Sequence, residues 1–137
     1  MGNPFAHIEL NTDNVGAAKK FYKSVFDWKL EDEGNYTMIA VGKGTGGGIM
    51  KKQMPEQPTA WLPYVEVADV KKTIDKARKS GANVVLPYHS IGDMGAIGVF
   101  IDPTGAALGV WEMAKKAAPK AAKKTAKKAA KKMGSRR

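Results

Sequence analysis

Cysteine is absent from all 137 residues, which excludes disulfides, thiolate metal sites and cysteine nucleophiles together. No apolar run approaches the roughly 20 residues that a membrane-crossing helix needs. Met1 to Leu10 lacks both the basic and the apolar stretch of a secretory leader, so a cytoplasmic protein without a membrane span is expected. Acidic residues are missing from one region only. Residues 115–137 hold 11 Lys/Arg and no Asp/Glu, whereas residues 1–114 hold 12 Lys/Arg against 13 Asp/Glu. The formal net charge of +10 therefore divides into −1 for the first part and +11 for the second. The high pI belongs to the tail and gives no ground for reading the surface of 1–114 as polyanion-binding. The predicted division is one domain at 1–114 and a basic tail at 115–137.

What is present in 1–114 is periodicity, and it occurs twice. Ala6, Ile8 and Leu10 alternate with His7 and Glu9, the period of a half-buried strand with one packed face and one polar face. Asn11 to Asn14 supplies capping side chains, and Val15, Ala18, Phe21, Tyr22 and Val25 recur at helical spacing, predicting a helix from about Asn14 to Val25. Strands are predicted at Trp28 to Leu30, Tyr36 to Val41 and Gly48 to Met50, with Glu31-Asp32-Glu33-Gly34 as an acidic turn. The order then returns. Tyr64 to Val67 alternates, Asp69 caps a helix carrying Val70, Ile74 and Ala77, and Gly81 ends it. Further strands are predicted at Val84 to Leu86, Ala96 to Ile101 and Leu108 to Glu112, with Asp102 to Gly105 as a turn and Pro87 to Gly95, His89 included, as a connecting loop. The fold class is α+β: two βαβββ units of roughly 50 residues forming paired curved mixed sheets around a cleft. Trp28, Trp61, Trp111, Tyr22, Phe26 and Phe100 are expected in core or interface. The glycines from Gly42 to Gly48 are not a phosphate loop, because a strand follows and no Gly-Lys-Ser/Thr ending is present.

The duplicated order, His7-Ile8-Glu9-Leu10, Phe21-Tyr22, Phe26-Asp27-Trp28, Gly46 to Met50, Gly92 to Gly95, Phe100 to Gly105 and Gly109-Val110-Trp111-Glu112 together resemble the vicinal oxygen chelate superfamily, and within it proteins related to lactoylglutathione lyase. That superfamily includes glyoxalases, extradiol dioxygenases, epimerases, fosfomycin-modifying enzymes and bleomycin resistance proteins, so the likeness implies a fold more than a reaction. In its metal-using members the resemblance implies four ligand positions, on the first and last strand of each unit. Here they fall on His7, Met50 or Lys51, Tyr64 and Glu112. Only His7 and Glu112 suit a hard dication, so the metal site reads as vestigial: no cofactor is expected, and a divalent metal is the minor expectation. The catalytic candidates are His7 and Glu112, and the candidate substrate pocket is His7, Glu9, Tyr64, Glu66 and Glu112. The plainer alternative makes His7 a hydrogen-bonded cavity residue and Glu112 a carboxylate that faces solvent or pairs with His7.

The tail is Lys, Ala, one Pro, one Thr and a terminal Met-Gly-Ser-Arg-Arg, and resembles linker-histone tails in composition. It buries too little apolar surface to order alone. Lys116, Lys120, Lys124, Lys128 and Lys132 form one row at helical spacing, and Lys123, Lys127 and Lys131 belong to a second. Without aromatic residues among them, the expected binding is to a backbone, with DNA first among polyanions. Three functions stay open: a glyoxalase- or lyase-like enzyme acting on an unknown small molecule, a non-catalytic antibiotic- or metabolite-sequestering protein, and a nucleoid-associated protein whose domain is a homodimerising platform for the tail.

Overall fold

The computed structural model describes residues 2–114, which hold eight strands and two helices in the order βαβββ twice over. Two compact units meet in sequence between Val65 and Glu66. The expected α+β class and the repeat are present. The tail lysines named above lie outside the described residues.

The first unit has strands β1 (Phe5–Thr12), β2 (Lys29–Glu33), β3 (Tyr36–Ala40), β4 (Gly47–Lys51) and all but the last residue of β5 (Ala60–Glu66), with helix α1 (Val15–Val25). They lie in the order β2-β3-β4-β1-β5, with β1 and β4 parallel and the other neighbours antiparallel. A parallel pair needs a crossover, and α1 begins it. Asn14 starts the helix by accepting the Ala17 N–H at 3.0 Å, as its side-chain chemistry predicts. Leu10, Ile39 and Ile49 form the buried core, and Val15, Ala18, Tyr22, Trp28, Leu30 and Trp61 pack on it. The aromatic expectation holds for Tyr22, Trp28 and Trp61, whereas Phe26 is 47% exposed.

One expectation fails in this unit. Glu31 to Glu33 is strand, and the turn moves to Gly34, whose φ of 67° suits glycine. Alternation places Asp32 on the opposite face from its neighbours, where Lys19 Nζ reaches it at 2.7 Å and Thr37 Oγ1 donates to it at 2.8 Å. The acidic run thus splits its charge between two faces and can stay extended.

The second unit has α2 (Val70–Lys79), β6 (Asn83–Ser90), a single 3₁₀ turn at Gly92–Met94, β7 (Ala96–Ile101) and β8 (Ala107–Glu112), with strand order β8-β7-β6. Asp69 caps α2 by accepting the Lys72 N–H, and Gly81 follows the helix with φ 103°. Val70, Ile74 and Val110 are its core. Gly98 lets the helix approach closely, since a Cβ there would stand 2.9 Å from Ile74 Cδ1. Asp102 Oδ1 closes the β7–β8 turn by accepting from Thr104 N–H at 2.7 Å and Ala106 N–H at 3.1 Å.

His89 is corrected from loop to strand: β6 runs through Pro87 to Ser90. Two register shifts, between Val84 and Leu86 and between Leu86 and His89, absorb the proline, and β6 is the outer strand of its unit, where a missing ladder N–H costs least. Among the described residues no helix is long and apolar enough to cross a membrane.

Candidate functional site

Successive residues of a strand point to opposite faces. Leu10 enters the core beneath α1, so His7, Glu9 and Asn11 share the face turned away from that helix. Register adds the rest. Tyr64 on β5 stands opposite His7, Gly48 and Met50 on β4 stand beside Glu9 and Asn11, and Tyr36 and Met38 on β3 stand opposite Met50 and Gly48.

The polar side chains on this face form one network. The Tyr36 hydroxyl lies 2.6 Å from His7 Nε2, with the two rings stacked at 6.1 Å. Tyr36 also hydrogen-bonds Glu9, whose Oε1 accepts from Tyr64 Oη and Asn11 Nδ2, each at 3.4 Å. Tyr64 also meets the His7 ring edge-on at 6.2 Å. Gly48 makes this arrangement possible: a Cβ at that position would collide with the ring and hydroxyl of Tyr36, so the tyrosine can lie across β4 only because residue 48 has no side chain.

Burial governs the electrostatics. It raises the Glu9 carboxyl above its ordinary range, against the opposing effect of hydrogen bonds from Tyr36, Asn11 and Tyr64. It lowers His7. It pushes both tyrosines far above the usual phenol range, with the Glu9 charge adding to the effect. His7, Glu9, Tyr36 and Tyr64 are therefore each biased toward the uncharged form. Two proton arrangements satisfy the geometry. With the proton on Glu9, the carboxyl donates to Tyr36 and Tyr36 donates to His7 Nε2; with the proton on His7, the imidazolium donates to Tyr36 and Tyr36 donates to Glu9. Exchange between them moves a proton across the face without forming a phenolate.

As a metal site the same face is a poor fit. It offers one imidazole, one carboxylate and two phenols held neutral, and among the described residues no group of three or more His, Asp or Glu could hold a metal ion.

Of the residues expected in the pocket, His7, Glu9 and Tyr64 come together. Glu66 and Glu112 belong to the second unit. Glu112 does not face solvent. It is 7% exposed, and its Oε1 accepts the Val70 N–H at 2.7 Å, so its carboxylate sits at the positive end of α2. Trp111 donates its Nε1–H to Met94 O at 2.8 Å, tying down the 3₁₀ turn. Sequence reading missed Tyr36, Asn11 and Gly48. Asn11 was within reach, since it continues the two-residue period of His7 and Glu9. Tyr36 was not, because its role depends on a glycine one strand away.

A family model described as the Glyoxalase/Bleomycin resistance protein/Dioxygenase superfamily matches residues 5–110. A Mycobacterium tuberculosis protein named "Putative glyoxylase CFP32" is 37% identical over 114 residues, covering 77% of this chain and 44% of that protein. The "Anthracycline biosynthesis protein DauV" of a Streptomyces species is 22% identical over 125 residues, covering 77% and 46%. The chain thus spans under half the length of these curated relatives. Among solved structures, methylmalonyl-CoA epimerase from Mycobacterium tuberculosis superposes with a TM-score of 0.63 at 16% identity, over 82% of this chain and 89% of that one. A hypothetical protein from Bacillus halodurans gives a TM-score of 0.62 at 13% identity, over 86% and 99%. These two likenesses concern the fold.

Proposed function

This chain belongs to the glyoxalase/bleomycin resistance protein/dioxygenase superfamily, and we propose that its first unit binds a small molecule on the His7–Glu9–Tyr36–Tyr64 face and moves a proton on it, as a lyase-like enzyme. The observation that carries the reading is the contiguous His7–Tyr36–Glu9 chain, with a 2.6 Å contact between His7 and Tyr36. A substrate with an acidic C–H beside a carbonyl would meet a base and an acid already joined by one hydroxyl, while Tyr64 and Asn11 hold the carboxyl in place. Met38, Met50 and Leu62 lie on the same face by register and supply adaptable apolar contact.

A ligand screen on the whole chain, with bound species identified by mass spectrometry and followed by a methylglyoxal–glutathione turnover assay, tests this. Turnover that disappears in His7→Ala and Tyr36→Phe supports it. Tight binding without turnover would replace it with the sequestering function, and absence of any ligand-dependent rise in Tm would remove the small-molecule reading altogether.

The tail belongs to the same proposal. Its 11 cations without a single acid suit a polyanion, DNA first, which would place the protein in the cytoplasm. The full chain should lose DNA affinity steeply with salt, and a chain ending at Ala114 should bind far more weakly; equal binding by both would refute a tail contact. Pairing of two chains, common in this superfamily, is proposed as well, and sedimentation equilibrium reads it directly.

A further inference from the structure

All five Lys and Arg residues between 66 and 114 lie in α2, at 71, 72, 76, 78 and 79. The near-zero charge of the domain therefore hides a local concentration of positive charge. Val70, Ile74 and Ala77 turn that helix's apolar stripe inward, which leaves its cations outward. Beside β6 they border an open groove of about 360 Å³ lined by Lys71, Lys72, Arg78, Ile74, Pro87 and Tyr88. Asp75 is the one acid in it, and it pairs with Arg78 at 3.2 Å. Tyr88 is 42% exposed, and Lys71 Nζ stands 5.0 Å from its ring centroid.

We propose that this groove is a nucleic-acid contact on the folded domain, taking single-stranded DNA with phosphates along Lys71, Lys72 and Arg78 and a base against Tyr88. The pairing of ammonium and ring matches the two parts of a nucleotide, one anionic and one flat. The place where the chain leaves the described structure argues for the same occupant. A Cβ on Gly95 would stand 2.9 Å from Ala114 N, so Ala114, the last described residue before the polycationic segment, lies beside the loop that follows β6, the strand that carries Tyr88. The tail has charge and no ring; the groove supplies the ring. This proposal rests on the polyanion reading of the tail for its affinity, while the groove residues themselves are independent of it.

The test measures fluorescence anisotropy of a labelled oligothymidylate, and of a duplex of equal length, over a salt series with full-length protein. Lys71→Glu with Arg78→Glu should lower the slope of log affinity against log salt by about 1.4 on the single strand, about 0.7 for each lost phosphate contact. The charge-matched control Lys20→Glu with Lys43→Glu should leave that slope nearly unchanged. Tyr88→Ala should weaken the oligothymidylate about fivefold or more and the duplex little. Equal slopes for the groove and control variants, or an unchanged oligothymidylate affinity in Tyr88→Ala, would overturn the groove, as would tighter binding to phosphatidylserine vesicles than to the oligonucleotide. Replacing the tail lysines 123, 124, 127 and 128 by Gln separates the two readings. If that change has no effect while the groove variants still do, the tail reading fails and the groove stands.

Discussion

Glu112 offers the sharpest check on the architecture, because it is a catalytic candidate by sequence and the structure gives its carboxylate a bond to a helix. Replacing it with Ala removes a charge-assisted acceptor from the buried Val70 N–H, which it meets at 2.7 Å, and removes a negative charge from the positive end of α2. A hydrogen bond to a charged group contributes about 1.5–3 kcal/mol and the helix-end charge about 0.3–1, so Glu112→Ala should cost about 2–4 kcal/mol. For a folded part of this size that lowers Tm by roughly 8–15 °C. Glu112→Gln keeps an acceptor oxygen and should cost only about 1 kcal/mol. Differential scanning calorimetry and urea melts on the three proteins read both numbers. An Ala variant within about 0.5 kcal/mol of the parent would refute the helix-anchoring role. A Gln variant as damaged as the Ala variant would show that the charge, not the hydrogen bond, matters.

Gly48→Ala should expel the Tyr36 ring and lower ligand affinity or turnover to the level of Tyr36→Phe while far-UV circular dichroism stays unchanged; retention of full activity would show that Tyr36 does not need that space. Glu9 is raised in the folded state, so folding takes up its proton. Stability should fall as pH rises through its folded pKa, and Glu9→Gln should raise Tm at pH above that value, with the gain vanishing below the ordinary glutamate value of 4.5. His7 has the opposite sign: its lowered pKa makes folding favour the neutral ring, so its contribution is present above 6.5 and lost as pH falls through the folded value, a loss that His7→Gln should abolish. Gly98→Val should cost about 1–3 kcal/mol by urea denaturation, because a Cβ already crowds Ile74 and Val70.

Much of the fold was legible because local signals agreed with one another. Asn14 and Asp69 cap the helices that their positions predicted, and Ala96 to Ile101 forms the strand its composition predicted. The errors fall where a distant residue decides. Glu31 to Glu33 looks like a turn until Lys19, on α1, is known to reach Asp32. Pro87 looks like a strand breaker until β6 is known to be an outer strand with shifted register. In the site, the β1 face was legible from its period, whereas Tyr36 enters through Gly48, a relation between strands that no linear pattern expresses. Glu112 was placed on the right strand, but its bond to Val70 spans 42 positions and could not be foreseen.

β2 ends the sheet order of the first unit with three consecutive carboxylates, and β6 ends that of the second with a proline and two register shifts. Each edge is a poor template for a further strand, one through repulsion and the other through a missing N–H and broken register. Crowded copies of this protein should therefore resist growing into fibres by edge-to-edge addition, and the acidic tripeptide Glu31 to Glu33 acts as a guard against self-assembly.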